Sequence, residues 1–296
     1  MTDLGPTPPV TLSDGSISVD IDPINGGRIS SLRVDDDELL WTDADLHPTE
    51  RAAIAWGMYP MAPFAGRIRT GRFTWRDQQQ QLRINLAPHS IHGTVFDRAW
   101  HLDRTGDTAI EISTALGEHW PWAGRCVQRF ELDDSTPGLL HTTIEVHSDG
   151  EAFPASAGWH PWFRTTTPSG ARLSPFRPGL AGGLGRQVER GSDAIATGRW
   201  IPVSDSPWDD CFDGVDWPLT LEWRHDSGSV HALEISSDAP FAVVYDERVE
   251  AWCVEPQSAP PAVIDETIAE DLGAAMAIVE PGAPLVVDAS WRVMTR

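Results

Sequence analysis

The chain has 296 residues, and its 44 acidic against 22 basic side chains leave a formal net charge of −22. Every basic residue is Arg, and the absence of Lys excludes a Schiff-base lysine, a PLP-binding lysine and a phosphate-binding P-loop, all of which need a primary amine. Such acidity argues against a nucleic-acid or anionic-membrane partner, because both require basic patches, and it leaves a neutral small molecule as the easiest ligand to accommodate.

In chain order, residues 1–10 carry Asp3, Pro6, Pro8 and Pro9 where a signal peptide would need an apolar run. Nowhere does an apolar stretch approach the ~18 residues of a membrane span. Ala109-Ile110-Glu111-Ile112-Ser113 and Thr142-Thr143-Ile144-Glu145-Val146 alternate apolar with polar, the pattern of half-buried strands. Residues 167–199, rich in Gly, Pro and Ser, read as a long surface excursion. Ala232-Leu233-Glu234-Ile235 repeats the strand alternation, and the apolar runs 241–245 and 285–287 read as strands buried on both faces. Pro260-Pro261 predicts a turn, followed by a helical candidate at 266–276 that Gly273 weakens. With 25 Gly and 24 Pro spread along the chain, long helices have little room. The expectation is an all-β protein with few short helices, a single large β-sandwich domain spanning 1–296. Cys126, Cys211 and Cys253 are odd in number and far apart, so neither a disulfide framework nor a zinc knuckle is expected, and a cytoplasmic location fits.

Four clusters place polar residues among aromatics, prolines and glycines. In Tyr59-Pro60-Met61-Ala62-Pro63-Phe64-Ala65-Gly66-Arg67-Ile68, two prolines restrict the backbone and Gly66 allows a close approach before Arg67, whose guanidinium can donate a forked pair of hydrogen bonds. The competing reading is a surface arginine after a turn. His89-Ser90-Ile91-His92-Gly93 holds two histidines, but no third ligand at a recognisable spacing supports a metal. Gly93-Thr94-Val95-Phe96 reads as a loop entering a strand, with His92 either a neutral donor to a ligand or a satisfied core histidine. Gly158-Trp159-His160-Pro161-Trp162-Phe163 sets an imidazole between two tryptophans, which serve equally as core or as sugar-facing walls. Ala251-Trp252-Cys253-Val254-Glu255-Pro256-Gln257 puts a carboxylate at a buried strand end, costly unless paired or functional.

Taken together, these segments resemble the aldose 1-epimerase (galactose mutarotase) family along nearly the whole chain. Asn25-Gly26-Gly27-Arg28-Ile29 is similar to the family's N-terminal segment, and Pro63 to Ile68 to its Pro-aromatic-Asn-Arg-Ile motif. His92-Gly93 resembles its His-Gly, and Gly158 to Phe163 its Gly-x-His-x-Tyr-Phe. Trp208-Asp209-Asp210-Cys211-Phe212 resembles its substrate aspartate motif, and Val254-Glu255-Pro256-Gln257 its catalytic-glutamate motif. The resemblance implies a β-supersandwich that interconverts the α and β anomers of a free hexose such as glucose or galactose, with no metal and no cofactor. It implies Glu255 as general base, His160 as general acid, and Arg67, His92 and Asp209 as sugar-binding residues. The chain departs from the family at Gly66, where the family has Asn, and at Trp162, where it has Tyr. The adjacent Asp210 is the alternative to Asp209.

Three other readings follow from the same residues. Arg67, Arg69, Arg72 and Arg76 could serve a hexose 6-phosphate if Arg67 and Arg69 share a strand face. A carbohydrate-binding module would bind sugar without catalysis. A glycoside hydrolase would need two carboxylates flanking the scissile bond, for which Glu255 and Asp209 are the candidates.

Overall fold

The computed structural model describes residues 8–46, 52–174 and 183–296. A 12-stranded antiparallel sheet carries, in spatial order, Val10–Ser13, Ile17–Asp22, Arg28–Val34, Met58–Met61, Gly158–Pro161, Ala251–Gln257, Phe241–Tyr245, Asp209–Phe212, Arg186–Arg190 and Ala196–Pro202, with two short strands beside this path. An 8-stranded sheet runs His101–Thr105, Ala109–Ala115, Gly124–Leu132, Leu139–Ser148, Leu285–Thr295, Val230–Ser237, Leu219–Arg224 and Arg172–Leu173. The pairings within both are antiparallel.

Period-two alternation decides which residues face the space between the sheets. Along Leu139–Ser148, Leu140, Thr142, Ile144 and Val146 are buried while His141 is exposed. Trp159 from the larger sheet meets Trp291 from the smaller edge to face, ring centroids 6.4 Å apart, and Phe163 lies 6.1 Å from Trp223. Each such large apolar side chain contributes about 1.5–3 kcal/mol when fully removed from water. One core cluster draws on Leu12, Ile110, Ile144, Trp159, Val254 and Val293.

The central strands of the larger sheet are covered on both faces, so Ala251–Gln257 is buried at every position except Trp252. Register then sorts its side chains. Val254 joins the core between the sheets, whereas Cys253 and Glu255 project from the opposite face. The same rule sends Trp159 inward and His160 outward.

Four sequence expectations need correction. Phe241–Tyr245 has its three central residues buried, but 285–287 opens an 11-residue strand with one exposed side, Val286 being exposed. Residues 167–199 are not an excursion: Arg186–Arg190 pairs into the larger sheet and Ala196–Pro202 forms its edge, while 175–182 lie outside the described residues, as do 1–7 of the leader reading. Gly93-Thr94-Val95-Phe96 enters no strand; the two-residue strand Ser90–Ile91 precedes His92. Helix Glu266–Leu272 stops at Gly273, which takes φ +63° and donates its N–H to the Ala269 and Glu270 carbonyls, a left-handed cap rather than an interior weak point. Asp265 caps the other end through the Thr267 and Ile268 amides.

Candidate active site

The outer face of the larger sheet lines a cavity of about 290 Å³, floored by residues of its central strands and walled by the Arg67–Ile68 and Ser90–Ile91 ribbon and by Pro261 and Ala262. His160, on Gly158–Pro161, and Glu255, on the adjacent strand, meet there with Nε2 and Oε1 3.2 Å apart. Both side chains are nearly inaccessible, 8% and 3% exposed, yet both border the cavity. Tyr59 stacks on the imidazole at 4.7 Å, Trp162 lies tilted at 5.0 Å, and His92 meets it edge-on at 5.0 Å.

These surroundings disfavour charge on each partner. Burial foremost, partly opposed by the residue's own backbone and reinforced by Arg67 and Arg28, pushes His160 down to about 3. Its Nδ1 makes no hydrogen bond of good geometry, only that electrostatic contact with its own backbone. Burial, then the nearby Asp209 charge, pushes the Glu255 carboxyl well above its usual range, opposed by the Gln257 amide and Arg67. Gln257 Nε2 donates to Glu255 Oε2 at 3.0 Å. Both shifts favour the neutral forms, which leave one exchangeable proton between the two side chains across the 3.2 Å contact.

His92 is fixed in one tautomer. The Gly66 N–H donates to its Nδ1 at 3.3 Å, so the neutral ring carries its proton on Nε2, the nitrogen left to donate to a ligand. Burial, His160 and Arg67 hold this ring well below the usual histidine range, so it stays neutral. Arg67 Nη1 reaches Asp209 Oδ2 at 3.4 Å, and Arg190 pairs with the same oxygen from the other side. The structure thus brings His92, His160, Glu255, Arg67 and Asp209 around one cavity, with Asp210 also on its wall.

Sequence reading missed the cavity-lining Tyr245 and Arg248 and, with the largest consequence for Asp209, Arg190. It sits in a Gly-rich stretch with no motif, and only its placement two residues after Val188 on one strand face could have flagged it. The two tryptophans divide: Trp159 is core, while Trp162 lines the cavity and donates its indole N–H to the Ile54 carbonyl at 2.9 Å. Asn25 to Ile29 turns out structural, since Arg28 is buried and donates to the Asn25, Trp56 and Phe96 carbonyls.

The arginine cluster does not form a phosphate pocket. The extended segment ends at Ile68, and Arg69–Gly71 turns away with Thr70 at φ +48°. Arg69 pairs with Asp193, Arg72 donates to Gln81, and Arg76 lies over Trp75, so of the four only Arg67 lines the cavity. His160, Cys253 and Glu255 bring a nitrogen, a sulfur and a carboxylate oxygen within 4.8 Å of one another. Burial pushes the Cys253 thiol well above its usual range.

Gly66 adopts φ +72°, and a Cβ there would lie 2.5 Å from the Pro261 Cβ. Pro261 thus occupies the space a side chain at 66 would need. Gly66→Ala is expected to lower folding stability by about 1–3 kcal/mol, the usual cost of such backbone strain, measured by urea denaturation. Unchanged stability would mean that the loop moves freely away from Pro261.

The protein is thus an antiparallel β-sandwich with a buried imidazole–carboxylate pair at the wall of a cavity of about 290 Å³. The aldose 1-epimerase family profile matches residues 8–283, and the chain belongs to that family. Its fold is similar to that of the GalM/aldose epimerase homologue from C. elegans, with 14% identity, a TM-score of 0.76, and coverage of 97% of this chain and 99% of the other. A galactose mutarotase-like protein from Clostridium acetobutylicum is similar at 16% identity and a TM-score of 0.75, covering 97% and 95%. The uncharacterized protein YphB of Escherichia coli K12 is 30% identical over 162 residues, 52% of this chain and 51% of YphB. The chain thus spans about half the length of the curated relative it matches. Among the described residues, no helix is long and apolar enough to cross a membrane.

Proposed function

We propose that this chain is an aldose 1-epimerase acting on the free hexose anomers as a single-domain enzyme, with Glu255 and His160 as its catalytic pair. The observation that carries this reading is the 3.2 Å separation of Oε1 and Nε2 at a cavity wall. The anomeric hydroxyl and the ring oxygen of a pyranose share one carbon, so a base and an acid that serve both must be close neighbours. In the Glu255 carboxylate–His160 imidazolium form, the carboxylate takes the proton of the C1 hydroxyl as the imidazolium protonates the ring oxygen. The C1–O5 bond breaks, C1 becomes an aldehyde, and rotation about C1–C2 presents its other face. Closure then returns both protons along the same paths and yields the second anomer. Nothing is oxidised or reduced.

Positioning falls to the neighbours. His92 Nε2–H, Asp209 and Arg67 present a donor, an acceptor and a cation to the sugar hydroxyls, and Arg67 and Arg190 hold the Asp209 carboxylate in place. Trp162 supplies an apolar face for the C–H side of the ring. Arg67→Ala is expected to raise KM about tenfold with a smaller effect on kcat, since uniform binding is what it loses, followed by initial rates in polarimetry. A cytoplasmic setting is consistent with Cys126, Cys211 and Cys253, all buried and free.

The test is anomer exchange in pure protein, followed by NMR or polarimetry across a panel of aldoses that includes glucose, galactose and glucose 6-phosphate. Acceleration of the free sugars over the 6-phosphate is expected, because the arginines beyond Arg67 in that cluster point elsewhere. Sugar binding without faster exchange would favour a binding module instead.

A further inference from the structure

A second cluster of ligand atoms lies outside the sugar cavity and has no part in the chemistry above. Asp37 stands on the Asp37–Glu38 strand that pairs with Arg28–Val34 of the larger sheet. His225 and His231 flank the turn between Leu219–Arg224 and Val230–Ser237 of the smaller sheet. His231 Nε2 lies 3.2 Å and His225 Nε2 3.5 Å from the same carboxylate oxygen, Asp37 Oδ2. The rings meet edge to face at 5.0 Å. Asp37 and His231 are buried, while the His225 side chain is 18% exposed and leaves a way in from solvent.

The outer hydrogen bonds matter most. The Ser169 hydroxyl donates its only hydrogen to Asp37 Oδ2 at 2.7 Å, and the Ser169 N–H donates to Oδ1 at 2.9 Å. The same hydroxyl lies 3.4 Å from His225 Nδ1, and with its hydrogen on Asp37 it is an acceptor for an Nδ1–H. In the Nδ1-protonated neutral ring, Nε2 presents a lone pair toward the carboxylate oxygen 3.5 Å away. His231 Nδ1 lies 3.1 Å from the Thr295 hydroxyl, which can accept from it or donate to it. A ring whose far nitrogen is held by a hydroxyl or carbonyl while its near nitrogen faces an anionic oxygen is the arrangement of metal-ligating histidine.

The spacing agrees. Ligand atoms bound tetrahedrally at about 2.0–2.1 Å lie ~3.3 Å from one another, and the two contacts to Oδ2 measure 3.2 and 3.5 Å. We propose that Asp37 Oδ2, His225 Nε2 and His231 Nε2 form a divalent metal site of the two-histidine, one-carboxylate type, with Zn²⁺ the fitting ion. Solvent beside His225 supplies the fourth ligand. Two imidazoles and a single carboxylate favour zinc-like ions over Ca²⁺ or Mg²⁺, which take mostly oxygen ligands. The ion would tie a strand of the larger sheet to a hairpin of the smaller one. Its net positive charge would also be favourable in a chain of formal charge −22.

The full chain, stripped with EDTA and titrated calorimetrically with Zn²⁺, should bind one equivalent. His225→Ala and Asp37→Asn should each weaken binding by about 100-fold or more, since even outer-shell changes cost 10–100-fold. Glu255→Gln, which disrupts the other group of potential ligands, should leave it unchanged. Co²⁺ in place of Zn²⁺ should give tetrahedral visible bands that His225→Ala abolishes. Absence of zinc uptake by the wild-type chain would overturn the proposal whatever the variants do. So would uptake that survives His225→Ala and disappears in Glu255→Gln.

Discussion

Glu255→Gln is expected to lower kcat for anomer exchange by about 10²- to 10⁴-fold, the contribution of one positioned base, with KM nearly unchanged. The amide keeps the size of the carboxyl and can still accept from Gln257 Nε2, whose contact with Oε2 is 3.0 Å. What it cannot do is take the proton of the C1 hydroxyl. Stability should move the other way. The folded-state pKa of Glu255 is raised, so whatever the neutral carboxyl contributes is fully present below its unfolded value and is lost as pH rises through the folded value. The Gln variant has no such loss, so its stability relative to wild type should grow with pH. Denaturant melts at acid and alkaline pH, run beside polarimetry, check both halves. A wild-type rate in a folded variant would remove Glu255 from the mechanism.

His160→Asn is expected to cost a similar factor, about 10²- to 10⁴-fold in kcat, because an amide N–H can donate a hydrogen bond but cannot deliver its proton to the ring oxygen. The pH profile separates this role from a structural one. In the wild type, the pair gains a second proton below the lowered imidazole pKa and then has no base. Above the raised carboxyl pKa it loses the shared proton and has no acid. Activity should therefore show an acid limb well below the ordinary histidine value of 6.5 and an alkaline limb above the ordinary carboxyl value of 4.5. In His160→Asn the residual rate should rise with pH and lose its alkaline fall, since no shared proton remains to be removed. An acid limb centred near 6.5 in the wild type would mean that the imidazole titrates in water, not in this buried pair.

Strand-rich architecture was legible because alternation survives wherever one sheet face meets solvent, as along Ala109–Ala115 and Leu139–Ser148. The same reasoning misjudged 285–287, since three apolar residues in a row do not reveal that Val286 points outward. It also misplaced the Gly-rich stretch around Arg190, where turn-forming residues masked the last two strands of the larger sheet. Around the cavity, local motifs named His160 and Glu255, each made conspicuous by a polar group set among aromatic and apolar neighbours. Arg190 had no such setting, and its partner Asp209 lies in a separate strand.

Local sequence, then, determined the strand-forming periodicity, the exclusion of lysine chemistry and the residue types available for proton transfer. Only the tertiary structure decided which of them meet. Residues 160 and 255 become neighbours because antiparallel pairing sets Gly158–Pro161 beside Ala251–Gln257, and the same pairing buries the pair deeply enough to shift both ionisations. Folding likewise turned Arg69 to the surface and gathered Asp37 with His225 and His231 from two sheets. Contacts between residues far apart in the chain are set by sheet register and layer packing, and a one-dimensional pattern does not encode either locally.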